Sequence, residues 1–296
     1  MSIDGTTDGL SGRNIFISGG SRGLGFSLCQ TFVQAGANVA FCGRNQAELI
    51  AASSLLEEQR KDDQRIGSFI ADVSERNKVI EMAAQVFDQF GAIDVLICNA
   101  GILGPLGPFL ENDLEEWIHA LNVNLLGSLY LIHSFLPPMI EQRHGKIIQI
   151  SGGGASSPLP GLTAYAASKA AVIRFIETLA KEYSSFGIDI NGVAPGMLKT
   201  RLLDEMLEAG PERVGVDLFQ KSVKKSSDDK DSSLQACKLI KFLASEESSG
   251  ISGRLISAEW DNWQEWPNHL TYLQDSDVYT LRRIVGHDRG QTWGDL

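Results

Sequence analysis

Short apolar runs alternate with amphipathic stretches along most of the chain. Residues 14–18 read Asn-Ile-Phe-Ile-Ser and break directly into glycines, and similar runs recur at 38–42, 66–70, 93–98, 146–150 and 188–191. Runs that are apolar without alternation predict strands covered on both faces. Between them, helical spacing predicts helices over 24–35, 46–61, 77–90, 113–136 and 162–183, the fourth stopped by Pro137-Pro138. Strands that alternate with helices imply right-handed crossovers and a parallel sheet, the doubly wound α/β (Rossmann) architecture. Ligands in that architecture sit outside the carboxyl ends of the strands, so the loops after each strand are the ones to read.

Past Pro195 the pattern loosens. A helix is predicted over 201–209, a polar mobile loop over 222–233, a helix over 233–244 and a last strand over 254–257. Residues 12–258 are expected to form the doubly wound domain, whose strand-end loops would carry any binding and catalysis, and 259–296 an extension. That extension holds Trp260, Trp263, Trp266, Tyr272, Tyr279 and Trp293, too many aromatics for a disordered tail. It is expected to pack on the core or across a subunit interface, or to lend its aromatic side chains to a lid over the substrate.

Composition narrows the class without naming a function. The chain has 296 residues, 43% hydrophobic and 21% charged, ordinary values for a globular protein. No uninterrupted apolar run approaches the roughly 18 residues of a membrane span, and Met1 to Gly12 lacks the features of a secretory signal. Cys29, Cys42, Cys98 and Cys237 stand far apart, which predicts reduced thiols, no metal site and a cytoplasmic location. A net charge of -11 argues against nucleic acid as a partner.

The loop after the first strand carries the first chemistry. Ser18-Gly19-Gly20-Ser21-Arg22-Gly23-Leu24-Gly25 places glycines as G-x-x-x-G-x-G between a strand and a helix. Glycines let backbone approach a phosphate, and the helix start offers free N–H groups to it. Arg44 ends the second strand, where an acidic residue would bind a ribose 2′-hydroxyl and an arginine accommodates a 2′-phosphate. With Arg22 as a second cation, the expected cofactor is NADP(H) over NAD(H). Tyr165 and Lys169 lie four residues apart on one predicted helix face. An ammonium beside a phenol favours phenolate, so the pair could serve as a tuned acid or base.

Taken together these residues resemble the short-chain dehydrogenase/reductase family over roughly 12–253. Ser18 to Gly25 resembles its TGxxxGxG loop, with Ser18 in the threonine place. Asp72-Val73 resembles the adenine-contacting pair. Asn99-Ala100-Gly101 resembles NNAG, with Cys98 in the first asparagine's place. Asn124 falls where the family keeps a catalytic asparagine, Tyr165 and Lys169 match YxxxK, and Pro195-Gly196 with Thr200 match the loop along the nicotinamide. The resemblance implies a carbonyl reductase or alcohol dehydrogenase acting on a small molecule. In it, Tyr165 moves the proton, Lys169 lowers the tyrosine pKa and binds the ribose, and Asn124 holds a relay water. It also implies a homodimer or homotetramer packed through the helices at 113–136 and 162–183.

Two places depart from the family. The position of its catalytic serine is Gly152, within Ile150-Ser151-Gly152-Gly153-Gly154-Ala155-Ser156-Ser157. Ser151, one residue off, is the candidate replacement. Ser156, Ser157 or a group on the substrate are alternatives, as is an enzyme with little turnover that acts as a cofactor-binding protein. Epimerase or dehydratase chemistry on a nucleotide sugar is a further alternative. The family's common VDGG ending is replaced by Ser257-Ala258-Glu259-Trp260.

Overall fold

The apolar runs form one parallel sheet in the computed structural model, which describes residues 9–61, 63–228 and 233–293. Its strands are β1 (Asn14–Ser18), β2 (Asn38–Gly43), β3 (Ile66–Ile70), β4 (Val95–Cys98), β5 (Gly145–Ile150), β6 (Ile188–Ala194) and β7 (Leu255–Ser257), in the order β3-β2-β1-β4-β5-β6-β7. Ile15 pairs with Val39 on one side and Val95 on the other. The chain therefore reverses its direction of winding between β1 and β4, where sheets of this kind have the crevice that takes a ligand.

Alternate side chains feed two cores. Ile15 and Ile17 join α1 (Gly23–Gln34), α2 (Gln46–Glu57) and α10 (Leu234–Ala244) on one face. Phe16 joins α3 (Arg76–Phe90), α5 (Gly127–Gln142) and α6 (Thr163–Glu182) on the other. A third, small cluster at the carboxyl edge gathers Leu103, Leu162, Leu203, Met206 and Val214. It is built by α7 (Arg201–Ala209), α8 (Pro211–Val214) and α9 (Val216–Ser226), and Tyr165 packs against it.

The structure corrects three expectations. Pro137 and Pro138 do not stop a helix. α4 (Leu114–Leu121) runs through a π turn (Asn122–Leu126) into α5, which continues past both prolines to Gln142. Each proline costs about 3 kcal/mol in a helix interior. Phe135, Leu136 and Met139 are buried on either side of the pair, at about 1.5–3 kcal/mol each, and this burial offsets that cost. Secondly, Leu114–Gln142 forms a 29-residue helical stretch with a mean hydropathy of 1.3 over its most apolar window, enough by composition to cross a membrane. Half of that window is buried inside the domain, as a core helix would be. Thirdly, 222–226 are helical: Ser222 is buried and donates to the Leu218 carbonyl, and Leu218 and Phe219 pack on the third cluster. Residues 229–232 of the predicted loop lie outside the described residues.

The chain beyond Glu259 folds onto the α10 side of the sheet. Trp263 and Trp266 are buried there, Trp263 with its ring 5.2 Å from Phe242 and Trp266 4.4 Å from Tyr279. The Arg254 guanidinium donates to the carbonyls of Leu273, Ser276 and Val278. The Leu281 N–H donates to Glu177 at 2.7 Å. The buried aromatics thus join the main core and not the cluster around Tyr165, while Trp260, Tyr272 and Trp293 are exposed. Trp263→Ala should lower stability by about 3–5 kcal/mol in urea unfolding, whereas Trp260→Ala should stay within about 0.5 kcal/mol. Equal effects of the two substitutions would contradict this packing.

Candidate active site

The crevice is lined by two loops held rigidly against each other. The Ser18 hydroxyl accepts from the backbone N–H groups of Asn99 at 3.0 Å and Ala100 at 3.1 Å. The Asn99 amide donates back to the carbonyls of Ser18 and Gly19. This closeness requires glycine. A Cβ on Gly25 would fall 2.0 Å from the Gly19 oxygen, and one on Gly19, at φ +67°, 3.1 Å from the Ala100 Cα. α1 starts at Gly23 with no side-chain cap, which leaves its first N–H groups, including those of Leu24 and Gly25, to an external acceptor.

The predicted cations flank this loop, each with an acidic neighbour. Arg44 lies 3.4 Å from Asp72, and Arg22 lies 3.1 Å from Glu48, which also accepts from the Ser21 hydroxyl. Burial works against the Asp72 charge. Hydrogen bonds from the Ser74 hydroxyl and N–H, together with Arg44, outweigh it and hold the carboxyl below the usual range. Val73 is buried against Gly127.

Three segments meet on the other side of the crevice. A Cβ on Gly101 would lie 3.2 Å from Asn124 Oδ1 and 3.5 Å from Lys169 Nζ. Asn124, fully buried in the π turn, accepts from the Ile102 N–H and donates to the Ile102 carbonyl and the Ser168 hydroxyl, each at 2.9 Å. Ser168 donates in turn to the Tyr165 carbonyl. π turns recur at functional sites because they displace one helical turn. Lys169 donates to the Ile150 carbonyl at 2.9 Å, and its Nζ lies over the Tyr165 ring, 5.6 Å from the centroid.

Burial dominates the electrostatics of this pair. It pushes the Tyr165 phenol up to about 12 and the Lys169 ammonium down to about 8. The expected lowering of the phenol by Lys169 is absent from this state, because the ammonium faces the ring and the Ile150 carbonyl instead of the phenol oxygen. Tyr165 is therefore protonated at neutral pH, and Lys169 carries its charge below about pH 8.

Pro195 is buried at the end of β6, and Thr200 reaches back to the glycine loop, its methyl 3.3 Å from a Cβ on Gly23. Gly196, at φ +84°, faces Glu259, whose carboxylate lies 3.7 Å from Lys225. The hydroxyl candidates do not gather at Tyr165. Ser151 Oγ is buried without a hydrogen-bond partner, and Ser156 and Ser157 are exposed. Among the described residues no cluster of three metal-ligating side chains occurs.

Glu48, Ser168 and Glu259 were not anticipated. Glu48 had a signal, as an acidic residue in the first turn after the Asn45 cap. Ser168 had one too, three residues after Tyr165 on the same helix face. Glu259 had none, because the end of β7 meets the loop after β6 only through the sheet.

A sequence profile described as short chain dehydrogenase matches residues 13–210. The chain is 32% identical over 254 residues to 3-oxoacyl-(acyl-carrier-protein) reductase FabG of Thermotoga maritima, covering 84% of this chain and 97% of that one. It is 30% identical over 267 residues to short chain dehydrogenase pigC of Monascus ruber, covering 88% and 82%. Among solved structures, gluconate 5-dehydrogenase from Burkholderia cenocepacia in complex with NADP and tartrate matches with a TM-score of 0.73 at 27% identity, covering 85% and 95%. NAD+-bound xylitol dehydrogenase shares the fold, with a TM-score of 0.74 at 22% identity, covering 84% and 98%.

Asn124→Ala would strip partners from the Ile102 N–H and carbonyl and from Ser168. The expected loss is about 2–4 kcal/mol in urea unfolding. A loss under about 0.5 kcal/mol would contradict the structural share of this residue's role.

Proposed function

Because the chain belongs to the short-chain dehydrogenase/reductase family of nicotinamide-dependent oxidoreductases, we propose that it is an NADP(H)-preferring carbonyl reductase with Tyr165 as the acid. The observation that carries this reading is the convergence of Tyr165, Lys169 and Asn124 across the crevice from the glycine loop. The loop fits a dinucleotide, since the uncapped start of α1 leaves the N–H groups of Leu24 and Gly25 to an anion. Gly19, Ser21, Gly23, Leu24 and Gly25 would hold the phosphates, and Arg22 and Arg44 the 2′-phosphate. Asp72, Val73, Asn99, Ala100 and Gly101 would hold the adenosine half, Tyr165 and Lys169 the nicotinamide ribose, and Pro195, Gly196 and Thr200 the nicotinamide. Exposed ion pairs such as Arg22–Glu48 and Arg44–Asp72 are worth about 0–1 kcal/mol, little hindrance to a phosphate. The cofactor supplies the hydride when bound.

The remaining chemistry belongs to the side chains. The protonated Tyr165 phenol donates to the substrate carbonyl oxygen as charge develops there. Lys169 ties the start of α6 to β5 and holds its charge over the Tyr165 ring. Asn124 fixes Ile102 and, through Ser168, the backbone of Tyr165. Ser151, its hydroxyl unpartnered just past the end of β5, is assigned a secondary role. The apolar cluster around Tyr165, with Leu103, Leu162 and Met206, suits a carbonyl on an apolar chain better than a sugar. A 3-oxoacyl thioester, the substrate type in the relative's name, is the proposed class. Half-exposed apolar side chains on α4, Leu114 and Ile118, are compatible with a homodimer or homotetramer built through the long helices.

Acetoacetyl-coenzyme A with NADPH probes the acid. Tyr165→Phe should lose about 10²-fold or more in kcat, and Ser151→Ala less than about tenfold. Intact turnover in Tyr165→Phe would overturn the mechanism. Loss in Ser151→Ala equal to that in Tyr165→Phe would move Ser151 to the centre. Fluorescence titration should show NADPH binding more tightly than NADH, with Arg44→Ala removing about tenfold of the difference. Tighter binding of NADH by the unaltered protein would overturn the cofactor assignment.

A further inference from the structure

Gly152 is extended, at φ −177° and ψ 174°, so its backbone would accept any residue. What a side chain there would meet is the end of the Tyr165 side chain. A Cβ on Gly152 would fall 2.2 Å from the phenol oxygen, 3.1 Å from Cζ and 3.3 Å from Cε1. The phenol oxygen thus lies where the root of the family's serine side chain would be. α6 cannot easily retreat to make room. Lys169 ties it to the Ile150 carbonyl, and its Ala166 Cα lies 2.8 Å from where a Cβ on Gly154 would be. Gly153, between the two, has open space around it.

We propose that Gly152 is a positioning residue for Tyr165: the missing Cβ forms the slot that seats the phenol oxygen, so that the tyrosine itself occupies the serine's place. The catalytic meaning of the slot rests on the acid role proposed for Tyr165, while the slot itself does not. It follows that a serine at 152 does not restore a family site. It displaces the tyrosine, and the loop and the tyrosine conformation belong together.

Thermal unfolding of the full chain tests the slot without any substrate. Gly152→Ala should lower Tm by about 3–6 °C, and the same change in a Tyr165→Phe background should cost less than half as much, because only the oxygen lies within 3 Å. Gly153→Ala should stay within about 1 °C. Equal cost in both backgrounds, or no cost in either, overturns the proposal. Should Gly152→Ala fail to fold, a folded double variant supports the slot and an unfolded one overturns it. A second arm follows NADPH oxidation with acetoacetyl-coenzyme A. Gly152→Ser should lower kcat about tenfold or more, since a displacement near 1 Å at the reacting group is felt this strongly, while NADPH binding weakens less because the glycine loop is untouched. A rise in kcat overturns the proposal. Intact turnover in Tyr165→Phe would remove the acid role and leave the thermal result standing, so the two failures are distinguishable.

Discussion

The site depends on how closely the loops after β1 and β4 approach each other. The Ser18 hydroxyl, the Asn99 amide and the carbonyls of Ser18 and Gly19 hold them together. At that distance only glycine fits at Gly19 and Gly25. The same bonds keep polar backbone satisfied where strand pairing ends, at the point where winding reverses. The glycine loop, the open start of α1 and the placement of Gly101 beside Asn124 and Lys169 all follow from that seam.

The far wall has a second constraint, desolvation. Lys169 enters the interior to reach the Ile150 carbonyl and draws the start of α6 onto β5. The burial that results favours the neutral form of both groups, raising the phenol and lowering the ammonium. The phenol therefore keeps its proton in this state. The glycines at 152 and 154 are the steric counterpart of that pull, since they let helix and loop come into contact.

The fold was legible in the sequence because five of the strands are short apolar runs covered on both faces, while β3, with Ser68 and Ile70 exposed, is covered on one. The glycine loop and Asn99 to Gly101 were legible because each follows a strand end, and the Tyr165–Lys169 pair because its spacing puts both on one helix face. The Pro137-Pro138 pair misled because local propensity was outweighed by burial of Phe135, Leu136 and Met139. Residues 222–226 misled because they are polar themselves and continue a helix that is anchored one turn earlier, where Leu218 and Phe219 pack on the Leu203–Met206 cluster. The Gly152 departure was visible, but not its meaning: a missing side chain says nothing about what fills the space until Tyr165 is seen there. The joining of the tail to the core through Arg254 and Glu177 is likewise a product of tertiary packing.

The central claim is that the crevice between the β1 and β4 loops holds the dinucleotide with the Tyr165 hydroxyl facing its reactive end. A crystal structure of the full chain with NADP+ tests it most directly. The account predicts phosphates on the Gly19 to Gly25 backbone, a nicotinamide ribose within hydrogen-bonding distance of Tyr165 and Lys169, and the phenol oxygen still seated over Gly152. A dinucleotide bound elsewhere, or a nicotinamide turned away from Tyr165, would contradict it.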